Sequence, residues 1–228
     1  MQHNKLYGKI GGNMGKRAVI FDLDGVIVST DEFHYESWKK MADDEEIYFD
    51  KKINERLRGV SRMESLEIIL ERSETLYTLQ EKEEMAARKN TYYRNLLNKL
   101  SEMDILPGVM NVLKALKELG VKIAIGSSSK NTPFILKKIK LDGYFDAVAD
   151  GNEIKYSKPH PEVFLLAAEK LGMDTFECVV IEDADAGIEA ANAGGMKSVG
   201  VGFAANCVNA KYRVKDLSLL SIDELLKD

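Results

Sequence analysis

Acidic residues stand at the ends of two apolar runs. Val19-Ile20-Phe21 leads into Asp22-Leu23-Asp24-Gly25, and Cys178-Val179-Val180-Ile181 leads into Glu182-Asp183. Asp22 and Asp24 are two apart, so on an extended segment they point the same way. Carboxylates buried without partners are costly, which places these at an exposed strand end, and Gly25 permits a sharp backbone departure there. If the two strands are neighbours, four carboxylates converge. Such a cluster repels itself unless a hard cation sits in it, and oxygen ligands with room for water suit Mg2+. The plainer alternative is that acidic residues merely punctuate strand ends at turns.

Two further segments bear on that choice. Gly126-Ser127-Ser128-Ser129-Lys130-Asn131 falls between an apolar run and a helical pattern, where hydroxyls and free backbone N–H groups at a helix start form an anion site. Taken alone it is also an ordinary serine-rich turn. Ser157-Lys158-Pro159 offers a lysine that could hold a phosphate as a fixed charge, although most lysines are solvated. Two acidic strand ends, a serine loop and a lysine together point to a site that binds a metal and a phosphate.

The elements that must position these groups are legible as alternating patterns. Apolar runs at 18–21, 122–125, 147–149 and 178–181, with a weaker one at 197–201, predict strands, and helical spacing predicts helices over 109–119, 132–139, 161–171 and 186–193. Strands alternating with helices imply βα units and a parallel sheet, whose C-terminal edge is where ligands bind. Gly120 and Gly172 follow two of the helices as C-terminal caps, and Asn131-Thr132-Pro133 reads as a cap with a first-turn proline. Residues 31–100 differ: helical spacing, many charges and no buried strand, with the clearest helices at 64–72 and 81–97. That is too long for an ordinary crossover and is read as an inserted helical domain over the sheet edge. Trp38, four positions after His34 and on the same helix face, is expected in the core of that insertion.

The chain has 228 residues, 45% of them hydrophobic, a formal net charge of -5 and a pI near 5.4. The length supports one good core, and the acidic balance argues against a nucleic-acid partner. No apolar run approaches the ~20 residues needed to span a bilayer, so no membrane association is expected. Residues 1–16 are polar, without the apolar centre of a signal peptide, and read as a tail, with Met14 as a second sensible start. Cys178 and Cys207 fit no metal spacing and no disulfide framework, consistent with a cytoplasmic location.

Asp22-Leu23-Asp24-Gly25-Val26, then Ser127, then Lys158-Pro159, then Glu182-Asp183 followed by Ala186-Gly187, resemble the haloacid dehalogenase superfamily over about residues 17–202. Within it, His34, Arg58-Gly59-Val60-Ser61-Arg62, Arg88-Lys89-Asn90 and Ser127-Ser128-Ser129-Lys130-Asn131 resemble the β-phosphoglucomutase family. The resemblance implies an α/β fold with a Rossmann-like core (17–29 and 96–228) and an inserted α-helical cap (30–95). It implies Asp22 as nucleophile, Asp24 as general acid and base, and Mg2+ held by Asp22, Glu182, Asp183 and the Asp24 backbone carbonyl. Ser127 and Lys158 would bind the transferring phosphoryl group. Arg62, with Ser129 and Asn131, would grip the other phosphate, and Lys130, Gly59, Val60 and Ser61 would complete the substrate site. His34 and Lys89 would link substrate binding to Asp24. The expected substrate is a sugar phosphate, with β-glucose 1,6-bisphosphate as primer and intermediate, and the expected state a monomer. Arg58, where the family more often has Lys, and Ser128, in place of a small apolar residue, are departures. A sugar-phosphate phosphatase of the same fold and a non-catalytic phosphometabolite binder stay open as alternatives.

Overall fold

A computed structural model describes residues 17–227; the expected N-terminal tail, residues 1–16, lies outside them. Strand β1 (Ala18–Phe21) is followed by helices α1 (Asp31–Asp44), α2 (Lys51–Glu55), α3 (Arg62–Leu70) and α4 (Leu79–Leu97). The chain then alternates through α5 (Val109–Glu118), β2 (Lys122–Gly126), α6 (Thr132–Lys138), β3 (Ala147–Ala149), α7 (Glu162–Leu171), β4 (Cys178–Glu182), α8 (Asp185–Ala193) and β5 (Lys197–Gly200). A two-residue strand β6 (Tyr212–Arg213) and a short helix α9 (Ile222–Leu226) close it.

The strands form one parallel sheet in the order β3-β2-β1-β4-β5-β6. Every residue of β1 and β4 is buried, because helices cover both faces of a parallel sheet. Val19, Phe21, Ile123, Ile125, Val179 and Ile181 pack on one face, against α5, α6 and the C-terminal segment. Ala18, Ile20, Ala124, Cys178 and Val180 face Val163, Phe164 and Ala167 of α7 and Ala190 of α8 on the other. The order reverses at β1: the chain runs outward through β2 and β3, then returns to β4 on β1's other side. A crevice therefore opens beyond the C-terminal ends of β1, β2 and β4, the usual ligand position in such sheets.

Helices α1–α4 have a core of their own, built from Trp38, Met41, Ile47, Phe49, Ile53, Leu57, Leu66, Ile69 and Met85. Trp38 is 2% exposed, in that core as expected. Two of these helices start earlier than their apolar spacing suggests. In α3, Glu64 N donates to Ser61 Oγ and Ser61 N donates to Glu64; Thr78 and Glu81 repeat the arrangement in α4. These capping boxes satisfy orphan N–H groups and place Arg62 in the first turn of α3. The last turns of α4 bring Tyr93 and Leu97 into the sheet's core. Strand β6 is too short an edge pairing to leave a periodic signal.

Candidate active site

The register at the centre of the sheet brings the acids together. Phe21 pairs with Ile181 and with Ile125, and Asp22 N donates to Ile181 O at 3.0 Å. Asp22 therefore leaves β1 beside Glu182, at the end of β4. Asp22, Glu182 and Asp183 are all buried, and each offers a carboxylate oxygen within 4.8 Å of the others. Two glycines make the room. A Cβ on Gly25, whose φ is +85°, would lie 2.0 Å from Asp183 Oδ2, and one on Gly187 would lie 2.0 Å from Glu182 Oε1.

Lys158, 1% exposed, reaches into this cluster. Its Nζ donates to Asp22 Oδ1 at 2.5 Å and to Glu182 Oε1. Burial works against its charge, but the two carboxylates outweigh it and hold the ammonium above its ordinary pKa. Burial, with Asp22 nearby and despite Lys158, lifts Glu182 to about 7. Burial and the charges of Glu182 and Asp22 raise Asp183 well above the carboxylate range. Three carboxylates thus face one ammonium, leaving an excess of about two negative charges that a divalent cation would neutralise. An all-oxygen donor set suits a hard ion such as Mg2+.

Asp24 does not join the cluster. Its Oδ1 accepts from the Thr30 hydroxyl, so three carboxylates converge where spacing alone suggests four. Crowding by protein and the charge of Asp22 raise the Asp24 carboxyl to about 7, against the pull of Thr30. A carboxyl that titrates near neutrality can both give and take a proton there.

The other side of the crevice is lined by the helical insertion, and the two enclose a cavity of about 1090 Å³. The sequence-predicted residues Asp22, Asp24, His34, Gly59, Val60, Ser61, Arg62, Lys89, Ser127, Ser129, Lys130, Asn131, Lys158, Glu182 and Asp183 all border it. Their side chains are not equally placed. Ser127 is buried, and its Oγ accepts from Ser129 N at 3.2 Å. Ser61 spends its hydroxyl on capping α3, and Lys130 is exposed. Asn131 stands before α6 but makes no side-chain cap. Its Nδ2 instead donates to Asn90 Oδ1 at 2.9 Å, and Arg62 Nη2 donates to the same oxygen at 2.8 Å.

Lys89 is buried at 2% exposure. Its Nζ lies 3.0 Å from His34 Nδ1 and over the rings of Trp38 and Tyr93, at 4.8 and 4.4 Å from their centroids. Burial and the nearby Arg62 charge depress the Lys89 pKa well below its ordinary value. Burial, then Lys89 and Arg62, do the same to His34.

Several groups at the site were not legible beforehand. Thr30 precedes α1 and resembles a helix cap, but its hydroxyl goes to Asp24. Tyr93, a buried aromatic in α4, packs against His34 with ring centroids 4.2 Å apart and the planes tilted by 38°. Phe203 covers the Arg58 guanidinium at 3.5 Å, and Arg58 also pairs with Asp31 at 3.4 Å. Ser128, a departure already visible in the sequence, has its Oγ buried without a hydrogen-bond partner among the described residues.

The family model of haloacid dehalogenase-like hydrolases matches residues 16–195. The chain belongs to that family. Within the haloacid dehalogenase-like proteins it is 44% identical to the β-phosphoglucomutase of Bacillus subtilis, over 92% of this chain and 93% of that protein. It is 30% identical to a phosphorylated carbohydrates phosphatase of Thermotoga maritima, over 92% and 96%. The crystal structure of a β-phosphoglucomutase from Clostridium difficile superposes with a TM-score of 0.86 at 42% identity, covering 92% of this chain and 95% of that one.

Proposed function

We propose that this chain is a β-phosphoglucomutase, interconverting β-D-glucose 1-phosphate and D-glucose 6-phosphate through a phospho-aspartate on Asp22 and β-glucose 1,6-bisphosphate. One observation carries the choice of a mutase: the cavity that holds Asp22 and Lys158 is also lined by a second set of anion donors, Arg62 and Asn131, which meet at Asn90, with Ser129. A sugar carrying two phosphates needs both. The similarity to the Bacillus subtilis enzyme supports the same reading.

Asp22 is the nucleophile. Its carboxylate oxygen attacks the phosphorus, and the bond to the sugar oxygen breaks. Asp24, steadied by Thr30, protonates that departing oxygen and later takes the proton from the attacking hydroxyl. A covalent carboxylate intermediate splits one difficult transfer into two easier ones. Lys158 and Ser127 bind the transferring phosphoryl oxygens, where positioning and charge carry most of the catalysis. Asp22, Glu182, Asp183 and the Asp24 carbonyl would hold Mg2+, which supplies charge neutralisation at the phosphoryl group when bound. His34 and Lys89 position Asp24 from the helical side.

We place the cap at residues 30–95 and the core at 17–29 and 96–228. The separate apolar core of α1–α4 supports the division. Closure of the cap excludes water and favours transfer to a sugar over hydrolysis. We take the monomer as the working unit. No helix among the described residues is long and apolar enough to cross a membrane, and Cys178 and Cys207 are thiols rather than a disulfide; both fit a cytoplasmic enzyme.

The 30% identity to a carbohydrate phosphatase favours hydrolysis as the second reading. The test supplies β-glucose 1-phosphate, Mg2+ and a trace of the bisphosphate, and follows glucose 6-phosphate and inorganic phosphate together. Glucose 6-phosphate with little free phosphate, lost in Asp22→Asn and severely reduced in Arg62→Ala, is the expected result. Free phosphate without glucose 6-phosphate makes the chain a phosphatase.

A further inference from the structure

Asn90 follows Lys89 in α4, and no role has been given to it above. Its side-chain oxygen accepts two hydrogen bonds from donors on different parts of the molecule. Arg62 Nη2, at the start of α3, donates at 2.8 Å, and Asn131 Nδ2, at the start of α6, donates at 2.9 Å. The atom facing Arg62 must be the oxygen, because a guanidinium has only donors. Arg62 is half-buried, and among the described residues it has no carboxylate ion pair. Burial pulls its pKa down from the ordinary value. A desolvated guanidinium without a counter-charge is a group built to receive an anion.

We propose that Asn90 is a positioning residue whose side-chain oxygen stands in for an oxygen of the non-transferring phosphate. It draws Arg62 of the cap and Asn131 of the core to a common point before substrate arrives, then yields both donors to the phosphate. This rests on the reading of Arg62 and Asn131 as the second phosphate site. An amide suits the task better than the acids that crowd this chain elsewhere. The amide oxygen offers Arg62 only a dipole, whereas a phosphate oxygen brings a full negative charge and room for a bidentate bond, so the phosphate displaces the amide. A carboxylate in the same place would compete with the phosphate as a bidentate anion. The arrangement also ties cap to core through one atom, so release of Asn90 and engagement of the phosphate are a single exchange.

Asn90→Asp tests this, because it preserves the shape and both bonds while turning the surrogate into an anion. Sugar-phosphate turnover is measured beside hydrolysis of p-nitrophenyl phosphate, a probe with one phosphate that engages only the Asp22 centre. The expected result is a rise of about tenfold or more in KM for β-glucose 1-phosphate and in Kd for glucose 6-phosphate. The change in kcat should be smaller, and p-nitrophenyl phosphate hydrolysis should stay within about twofold. An unchanged or lower KM overturns the proposal, as does an equal loss of p-nitrophenyl phosphate hydrolysis. If Asn90→Asp does not fold, Asn90→Ala carries the test: removal of the surrogate raises KM about threefold or more, and an unchanged KM overturns it. Arg62→Ala separates the two claims. If it leaves KM unchanged, the second phosphate site itself is wrong; if it raises KM while Asn90→Asp is silent, only the surrogate role falls.

Discussion

The Ser157 hydroxyl donates to Glu64 Oε2 at 2.7 Å, and the same oxygen accepts the Ser61 backbone N–H at 2.8 Å. One carboxylate oxygen therefore caps α3, at whose start Arg62 stands, and ties it to the loop that carries Lys158. The bond joins the two halves of the cavity at its rim. Glu64 is exposed, so the tether contributes little to overall stability, about 1 kcal/mol or less. Its effect should fall on closure. In Ser157→Ala, the melting temperature should stay within about 2 °C of wild type, while the ratio of free phosphate to glucose 6-phosphate rises severalfold as water gains access. Burial opposes the Glu64 charge, but hydrogen bonds from Ser61 and Ser157 outweigh it and lower the pKa from 4.5. A lowered carboxylate pKa gives a contribution fully present above 4.5 and lost as pH falls through the depressed value. The tether's own effect on the product ratio should therefore be constant at and above about pH 5, and any change there belongs to Asp24 and Glu182, which titrate near 7.

Lys89 is a buried base with no carboxylate ion pair among the described residues, only the more distant charge of Asp24, and is held by an imidazole nitrogen and two aromatic faces. Its folded pKa is depressed by burial and Arg62, so between that value and 10.5 the unfolded chain binds the extra proton. Stability then rises with pH across that window. Lys89→Met removes the penalty and keeps the bulk. The variant should melt higher at pH 7, by several degrees, with a flatter dependence between pH 7 and 10. Sugar-phosphate turnover should drop by about tenfold or more, since His34 loses the group that orients it. Thermal melts against pH beside the turnover assay would show both; a variant that melts lower at pH 7 would mean that Lys89 is a stabilising contact.

The legible and illegible parts of this chain divide by the range of the interactions. The buried runs ending in Asp22 and Glu182 announce themselves because a strand covered on both faces must be continuously apolar, and parallel register then places the acids side by side. The serine loop after β2 follows from the same alternation. Helices α3 and α4 begin two residues before Glu64 and Glu81, where the apolar period starts, since that period begins only after the capping box. Asn131 reads locally as a cap, yet its amide is drawn to Asn90, forty-one positions away in sequence. Thr30 similarly abandons α1 for Asp24. The Phe203–Arg58 stack depends on how the cap sits over the core, which no local pattern encodes.

Gly25 should tolerate no side chain. A Cβ there would lie 2.0 Å from Asp183 Oδ2 and 2.4 Å from its Cγ, on a backbone at φ +85°. Strain of about 1 kcal/mol from the left-handed conformation is the lesser part. The greater part is displacement of a carboxylate from a crowded cluster. Gly25→Ala should fold, because the clash is with a side chain at the cavity, but its turnover should fall by at least about a hundredfold. Circular dichroism with the turnover assay would check this. Near-wild-type activity would mean that Asp183 has freedom to move without cost to the reaction.

Removal of divalent ions should expose the electrostatic debt of the Asp22–Glu182–Asp183 cluster. Lys158 neutralises one charge of three, and the crowding already raises Glu182 to about 7. An ion that binds only the folded chain stabilises it by mass action, by about 2.7 kcal/mol at a hundred times its Kd. Wild-type protein stripped with a chelator should therefore melt several degrees lower than protein in excess Mg2+, most strongly above pH 7, where Glu182 is ionised. Asp183→Asn should melt higher than wild type without the ion, since one of three repelling carboxylates is gone, and gain little when Mg2+ is added. A variant that keeps the full Mg2+ response would place the ion away from Asp183, and an ion-insensitive wild type would mean that Lys158 alone satisfies the cluster.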